Sequence, residues 1–338
     1  KLKSEQPTHI IDFLLENGLW PFFKQRPYDV IADPNSNPKE IFVSGFDSSP
    51  LSADYDFITK DNKQTISKAI TILSKLTNGS INISLRKESD SFLRGLSDVV
   101  IHNVSGPHPS GNLSTIINKV CPINKGDIIW TLNLPDLIII GKAMLEGKFS
   151  AERIIALAGS SVSNPKYIKT LIGSNISSFI KLKENNSRII SGNVLTGVKL
   201  ESSAHVRYYS NEITAIPEGN DYDLFGWAKP MFDKFSVSRA LTFSWLFPNK
   251  KYDLNTNTNG EHRAFVVTGS FEEVFPLDIY PMQILKACMY KDLDEMEALG
   301  MYEVSPEDFA LTEFICVSKQ PHQNIIREGL DLMKKEIG

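Results

Sequence analysis

The chain has 338 residues, 41% of them hydrophobic and 22% charged, with a formal net charge of -4. That length and balance fit a globular protein of roughly two or three domains. The acidic surplus and the lack of any long run of like charge exclude a general nucleic-acid binder and a polybasic lipid anchor.

In chain order, residues 8–24 read as a helix: Ile10, Ile11, Leu14, Leu15 and Leu19 share a face, Thr8 is the expected N-cap, and Gly18 and Pro21 end or bend it. Pro27, Pro34 and Pro38 predict an irregular connector. A strand is expected at 41–43, ending at Gly45. A helix follows over 64–77, with Ile66, Ala69, Ile70, Leu73 and Leu76 on one side. Strands are predicted at 81–85, 99–104 and 128–131, and a helix at 135–145. The apolar run at 99–104 suggests burial on both faces. Strands alternating with helices imply a mostly parallel sheet, so residues 39–150 read as a Rossmann-like α/β domain after an N-terminal helix and connector over 1–38. The stretch 128–145 is the best candidate for a membrane span. Its Asn133, Pro135, Asp136 and Lys142 would be expensive in lipid, which favours a buried strand or helix.

After residue 150 the pattern changes. Strands at 153–158, 167–172 and 188–190, with a short helix at 176–182, suit a β-grasp module over 151–204. Residues 205–280 read as β-rich with polar turns, and 281–338 as helical. Trp227, Phe235, Phe243 and Trp245 form an aromatic stretch that either stacks on a planar ligand or packs in a core, with core packing favoured.

Chemical motifs are scarce. There is no P-loop, no GxGxxG after a strand, no Gly-x-Ser-x-Gly and no HExxH. Cys121, Cys288 and Cys316 are scattered, without a CxxC, which disfavours a cluster or a structural zinc and fits a reducing compartment. The only close histidines are His102 and His108, and no spacing supports a metal. Gly106-Pro107-His108-Pro109-Ser110-Gly111 follows a predicted strand, where ligand loops of open α/β sheets belong. Its prolines make it a poor phosphate cradle. It is either a rigid turn or a contact for a quinone or a partner.

An ordered set of segments carries a resemblance. It comprises Leu14-Leu15-Glu16-Asn17-Gly18-Leu19-Trp20, Ser44-Gly45-Phe46-Asp47, Val104-Ser105-Gly106-Pro107-His108-Pro109, Ile190-Ser191-Gly192-Asn193-Val194-Leu195-Thr196-Gly197, Leu224-Phe225-Gly226-Trp227-Ala228, Lys234-Phe235-Ser236-Val237-Ser238-Arg239, Thr256-Asn257-Thr258-Asn259-Gly260 and Pro276-Leu277-Asp278. With residues 152–159, these resemble the A subunits of Na+-translocating NADH:quinone reductases along nearly the whole chain. The start at Lys1, without Met, is read as a fragment lacking most of the family's biotinyl/lipoyl-like N-terminal region.

The resemblance implies an architecture similar to the flavoprotein subunit of respiratory complex I, without its cofactors. Where those relatives have a glycine-rich FMN loop, this chain reads Pro21-Phe22-Phe23-Lys24-Gln25-Arg26-Pro27. The acidic loop is reduced to Phe46-Asp47-Ser48-Ser49-Pro50, and the cluster region over 310–326 keeps only Cys316. The expected role is that of a peripheral component of an NADH:ubiquinone oxidoreductase that couples electron transfer to Na+ export. The isolated chain is not expected to be catalytic. It would help bind ubiquinone and dock on membrane subunits, particularly the one designated B, on the cytoplasmic side of a bacterial inner membrane, while other subunits hold NADH and flavins. No bound cofactor, metal, nucleic acid or membrane span is expected. Phe46, Asp47, Gly106, Pro107 and His108 are the candidate ligand contacts. The rival readings are a flavin or NAD enzyme, a non-redox β-grasp ligand binder and a pure scaffold.

Overall fold

The computed structural model describes residues 5–201, 203–219, 224–226, 228–229, 232, 234–240 and 244–338. They form a mixed α/β multidomain protein with two mixed sheets and a set of C-terminal helices. The chain opens with α1 (Pro7–Glu16), which has its proline in the first turn, where no N–H partner is lost. Its Ile10, Phe13 and Leu14 face inward, and Gly18 at φ +66° turns the chain out of the helix. The helix expected over 8–24 is therefore two pieces, the second a single 3-10 turn at Trp20–Phe22.

The proline-rich connector holds two short strands, β1 (Lys24–Arg26) and β2 (Val30–Ile31), which the sequence reading did not foresee. Then come β3 (Glu40–Ser44), α2 (Tyr55–Thr59), α3 (Lys63–Leu73), β4 (Ile81–Arg86), β5 (Val100–Val104), α4 (Leu113–Val120), β6 (Ile129–Asn133) and α5 (Asp136–Glu146). The first sheet has the order β2-β1-β6-β3-β4-β5. β6, β3, β4 and β5 run parallel, while β1 lies antiparallel to both β2 and β6. Side chains of β3 alternate between two cores. Ile41 and Val43 join Trp130, Leu132 and the buried faces of α3 and α5, whereas Phe42 joins α4 and the C-terminal helices. α5 lies so close to α3 that a Cβ on Gly141 would sit 2.3 Å from the Thr65 carbonyl oxygen. The expectation that 99–104 is buried on both faces fails: β5 is an edge strand, and Val100 is 44% exposed. Its apolar character had suggested burial on both faces, but among the described residues no strand pairs with its outer edge.

The second sheet comprises β7 (Glu152–Ala158), β8 (Lys166–Leu171), β9 (Ser187–Ser191), β10 (Val198–Leu200) and β11 (Glu212–Pro217), in the order β10-β9-β11-β7-β8. β11 lies in its middle, parallel to β7 and antiparallel to β9. The short helix expected at 176–182 is one 3-10 turn, Ile176–Ser178. Apart from β11, the described residues of 205–280 form no strand of either sheet, contrary to the β-rich reading. β-branched and aromatic content measures fit to a pleated surface, and a strand still needs an edge to bond with. The helices α6 (Pro281–Tyr290), α7 (Leu293–Ala298), α8 (Ala310–Ile315) and α9 (His322–Ile337) follow, and their apolar faces share one core with α4.

Candidate functional site

Parallel strands carry their C-terminal ends to one edge, so the loops leaving β3, β4 and β5 meet there. Gly45 is obligatory at the exit of β3, since a Cβ would lie 2.2 Å from the Ser84 carbonyl oxygen of β4. The Ser44 hydroxyl donates to the Phe46 carbonyl at 2.8 Å. The Asp47 carboxylate is turned onto its own loop, accepting the Ser49 N–H at 2.7 Å and the Ser49 hydroxyl at 2.6 Å. At the end of β4 the Arg86 guanidinium lies 4.8 Å from the centre of the Phe46 ring, within cation–π range.

Gly45, Phe46, Asp47 and Arg86 line a cleft of about 350 Å³, together with Tyr55, Asp56, Glu88 and Ser89. Its walls mix the rings of Phe46 and Tyr55 with several carboxylates and one guanidinium. Behind it Glu212 of β11 accepts the Ala53 N–H at 2.6 Å. Burial, with Asp47 adding repulsion, pushes the Glu212 carboxyl up to about 8.

Of the five residues singled out from sequence, Phe46 and Asp47 line this cleft. His108 reaches their loop from the other side, its Nδ1 lying 3.0 Å from the Ser48 hydroxyl, which accepts the Gly111 N–H at 2.9 Å. His108 Nε2 is buried without a hydrogen-bond partner. Burial lowers the pKa of this imidazole, with Asp47 and Asp308 opposing. Gly106 and Pro107 face solvent and are not among the residues lining the cleft. His102 bonds to Asn82 Oδ1 at 2.8 Å, a contact within the sheet. The sequence reading missed Arg86, Tyr55 and Glu88. Arg86 and Glu88 had a signal, since they sit at the end of a predicted parallel strand, as Phe46 does. Glu212 had none.

The segment Pro21 to Pro27 is built into the protein body: Phe22 and Phe23 are buried, and Lys24–Arg26 is paired with β6. Cys121, Cys288 and Cys316 are free and buried. Among the described residues no group of three or more His, Cys, Asp or Glu could hold a metal ion, and no helix is long and apolar enough to cross a membrane.

A second feature lies far along the chain. Leu224, Phe225, Val237, Trp245, Leu246, Phe247, Val266 and Val267 are exposed. Trp245 is 63% exposed and Phe235 41%, which overturns the expectation that they pack in a core; Trp227 and Phe243 lie outside the described residues. Phe235 does meet Tyr252 and Phe314, with ring centres 5.6 and 5.7 Å away. Those contacts lie at the surface.

The fold defines a class of multidomain α/β protein. The NAD+-reducing NiFe hydrogenase in its H2-reduced state has a chain similar to it, with a TM-score of 0.50, 11% identity, and coverage of 98% of this chain and 61% of that one. At such identity the likeness concerns the fold alone. Residues 5–149 match the family described as the NqrA second alpha/beta domain, and residues 154–202 the family described as the NQRA C-terminal domain. The A subunit of the Na(+)-translocating NADH-quinone reductase of Neisseria meningitidis serogroup B is 35% identical over 327 residues, covering 96% of this chain and 73% of that protein. Its counterpart in Alcanivorax borkumensis is 35% identical over 341 residues, covering 99% and 75%. The chain belongs to the family of Na(+)-translocating NADH-quinone reductase A subunits. It is thus a component of an oxidoreductase complex, with the other subunits as partners.

Proposed function

We propose that this chain is a peripheral component that docks on the membrane part of the reductase, its B subunit foremost, on the cytoplasmic side of a bacterial inner membrane. The observation that carries this reading is the set of exposed apolar side chains among the described residues between Leu224 and Val267. A protein that worked alone would rarely leave so many large apolar side chains in water, and such surfaces mark interaction sites. The Phe46–Arg86 cleft supports a contribution to ubiquinone binding. Its volume of about 350 Å³ falls in the range of ligand pockets, with rings to stack on and Arg86 to donate a hydrogen bond to a carbonyl oxygen. On this reading NADH and flavins belong to other subunits and the chain carries no cofactor of its own. The first sheet is a Rossmann-like unit, and the second, with its one-turn helix, a β-grasp module of the ligand-binding kind. The test is co-purification. Trp245→Asp combined with Phe247→Asp should leave the fold intact by circular dichroism and remove this chain from the detergent-extracted complex. A complex that retains the doubly substituted chain in full would rule out docking through this segment.

A further inference from the structure

The cleft is bounded by more than the first sheet. The loop and helix over 46–57 supply most of its lining, and that same stretch is held by residues of the second sheet. Glu212 accepts the Ala53 N–H at 2.6 Å, and Tyr167 of β8 accepts the Asp54 N–H at 2.8 Å. Asn211 donates to the Tyr55 hydroxyl at 3.3 Å, and the Phe57 and Tyr167 rings lie 4.4 Å apart. Ala53, Asp54 and Tyr55 all line the cleft.

We infer that the second sheet is part of the ligand site, with Glu212 as the positioning residue that clasps the 46–57 stretch in its ligand-ready place. Glu212 suits this because it sits on β11, the central strand of its sheet, and is only 4% exposed. The ionisable groups around it are Asp47 from the loop after β3, Tyr55 from α2 and Tyr167 from β8. Arg153 bonds to Asn211 and Asp136, Asn211 donates to the Tyr55 hydroxyl, and Asp136 also acts electrostatically on Tyr55. Burial and Asp47 raise the carboxyl against the Ala53 N–H, which favours the carboxylate; with no cation among the groups that shift it, the neutral form belongs to the closed arrangement. The carboxyl is raised to about 8 when clasped and returns toward its ordinary 4.5 when the stretch lifts away. The closed arrangement as a whole is therefore most stable below 4.5, loses stability as pH rises, and is least stable above 8.

The inference deepens the ubiquinone reading of the same cleft, and its test does not depend on ubiquinone. Amide hydrogen exchange of residues 46–57 is measured in the full-length protein at pH 5, 7 and 9 and corrected for base catalysis. Opening in the wild type should rise by up to about tenfold per pH unit between pH 5 and 8, the limit for loss of one proton, and then level off. Glu212→Gln keeps the acceptor and cannot ionise, so it should hold the loop equally at all three pH values. Glu212→Ala should open it at all three. Equal protection of the wild type at pH 5 and pH 7, or a loss in Glu212→Gln matching the wild type, would overturn the clasp. Titration with ubiquinone-1 then adds a separate arm. Affinity that falls between pH 5 and pH 8 in the wild type but not in Glu212→Gln is the expected result. No binding at pH 5 with the exchange pattern intact would remove the ubiquinone reading and leave the clasp standing.

Discussion

Aromatic side chains meet opposite fates in two regions of this molecule. Against the first sheet Trp20, Phe23 and Trp130 form one buried cluster, with Trp20 stacked on Phe23 at 5.0 Å and edge-on to Trp130 at 5.3 Å. Trp20 also satisfies its indole N–H on the Ala32 carbonyl at 2.7 Å. Between 224 and 267, Phe225, Trp245 and Phe247 are each more than 60% exposed. Residue type therefore does not decide burial. The first group is set by a 3-10 turn packed against β6, whereas the described residues around the second form no strand of either sheet.

The sharpest way to break this contrast is paired truncation. Trp130→Ala should cost about 3–5 kcal/mol in urea unfolding, because a 1%-exposed ring leaves a cavity that its neighbours cannot fill. Trp245→Ala should change stability by less than about 0.5 kcal/mol. Similar losses from both would mean that the exposed segment folds back on the body in solution.

A second experiment asks whether the two sheets unfold as one buried body. Arg153 of β7 bonds to Asp136, at the start of α5, at 2.6 Å, with the side chains 2% and 3% exposed, and its other arm reaches Asn211 at 2.6 Å. Removing one partner strands a buried charge, so Arg153→Ala should cost about 3–5 kcal/mol, while joint replacement by Met and Leu should recover much of that. If Arg153→Ala instead produced two separate unfolding transitions, the sheets would be independent units joined by this pair.

A third experiment concerns the point where the exposed segment gains an anchor. Phe265 and Phe271 lie with ring centres 5.4 and 4.8 Å from His322, which is fully buried and bonds to the Thr312 hydroxyl at 2.9 Å. Burial lowers the His322 pKa to about 4. A base whose folded pKa is depressed supports the fold above its ordinary pKa near 6.5, and that support is lost as pH falls toward 4. Acid titration of stability should therefore show a decline over this window that His322→Gln flattens; an unchanged slope in the variant would place the acid sensitivity elsewhere.

The legible parts of the fold were those with repeating spacing. Ile66, Ala69, Ile70 and Leu73 marked α3, and the runs at 41–43 and 81–85 marked adjacent parallel strands. β1 and β2 were hidden because prolines crowd their flanks, and β11 was left unplaced within a stretch read as β-rich because a short strand gains its meaning only from β7 and β9 on either side. At the site, Phe46 and Asp47 were found by the rule that ligand loops follow parallel strands, a rule that would also have pointed to Arg86. Glu212 lies 159 residues beyond Ala53, its hydrogen-bond partner, and no local pattern reports such a meeting.

The placement of β11 also sets an order of events during synthesis. β7 pairs with β8, and β9 with β10, but these two hairpins touch in the sheet only through β11. Until Pro217 has left the ribosome the two pairs have no strand to join them, and their unpaired edges are the kind of surface on which strands from other chains can add. A gene truncated at residue 204 would stop there permanently, and its product should be lost to aggregates, although every residue of the two hairpins is present.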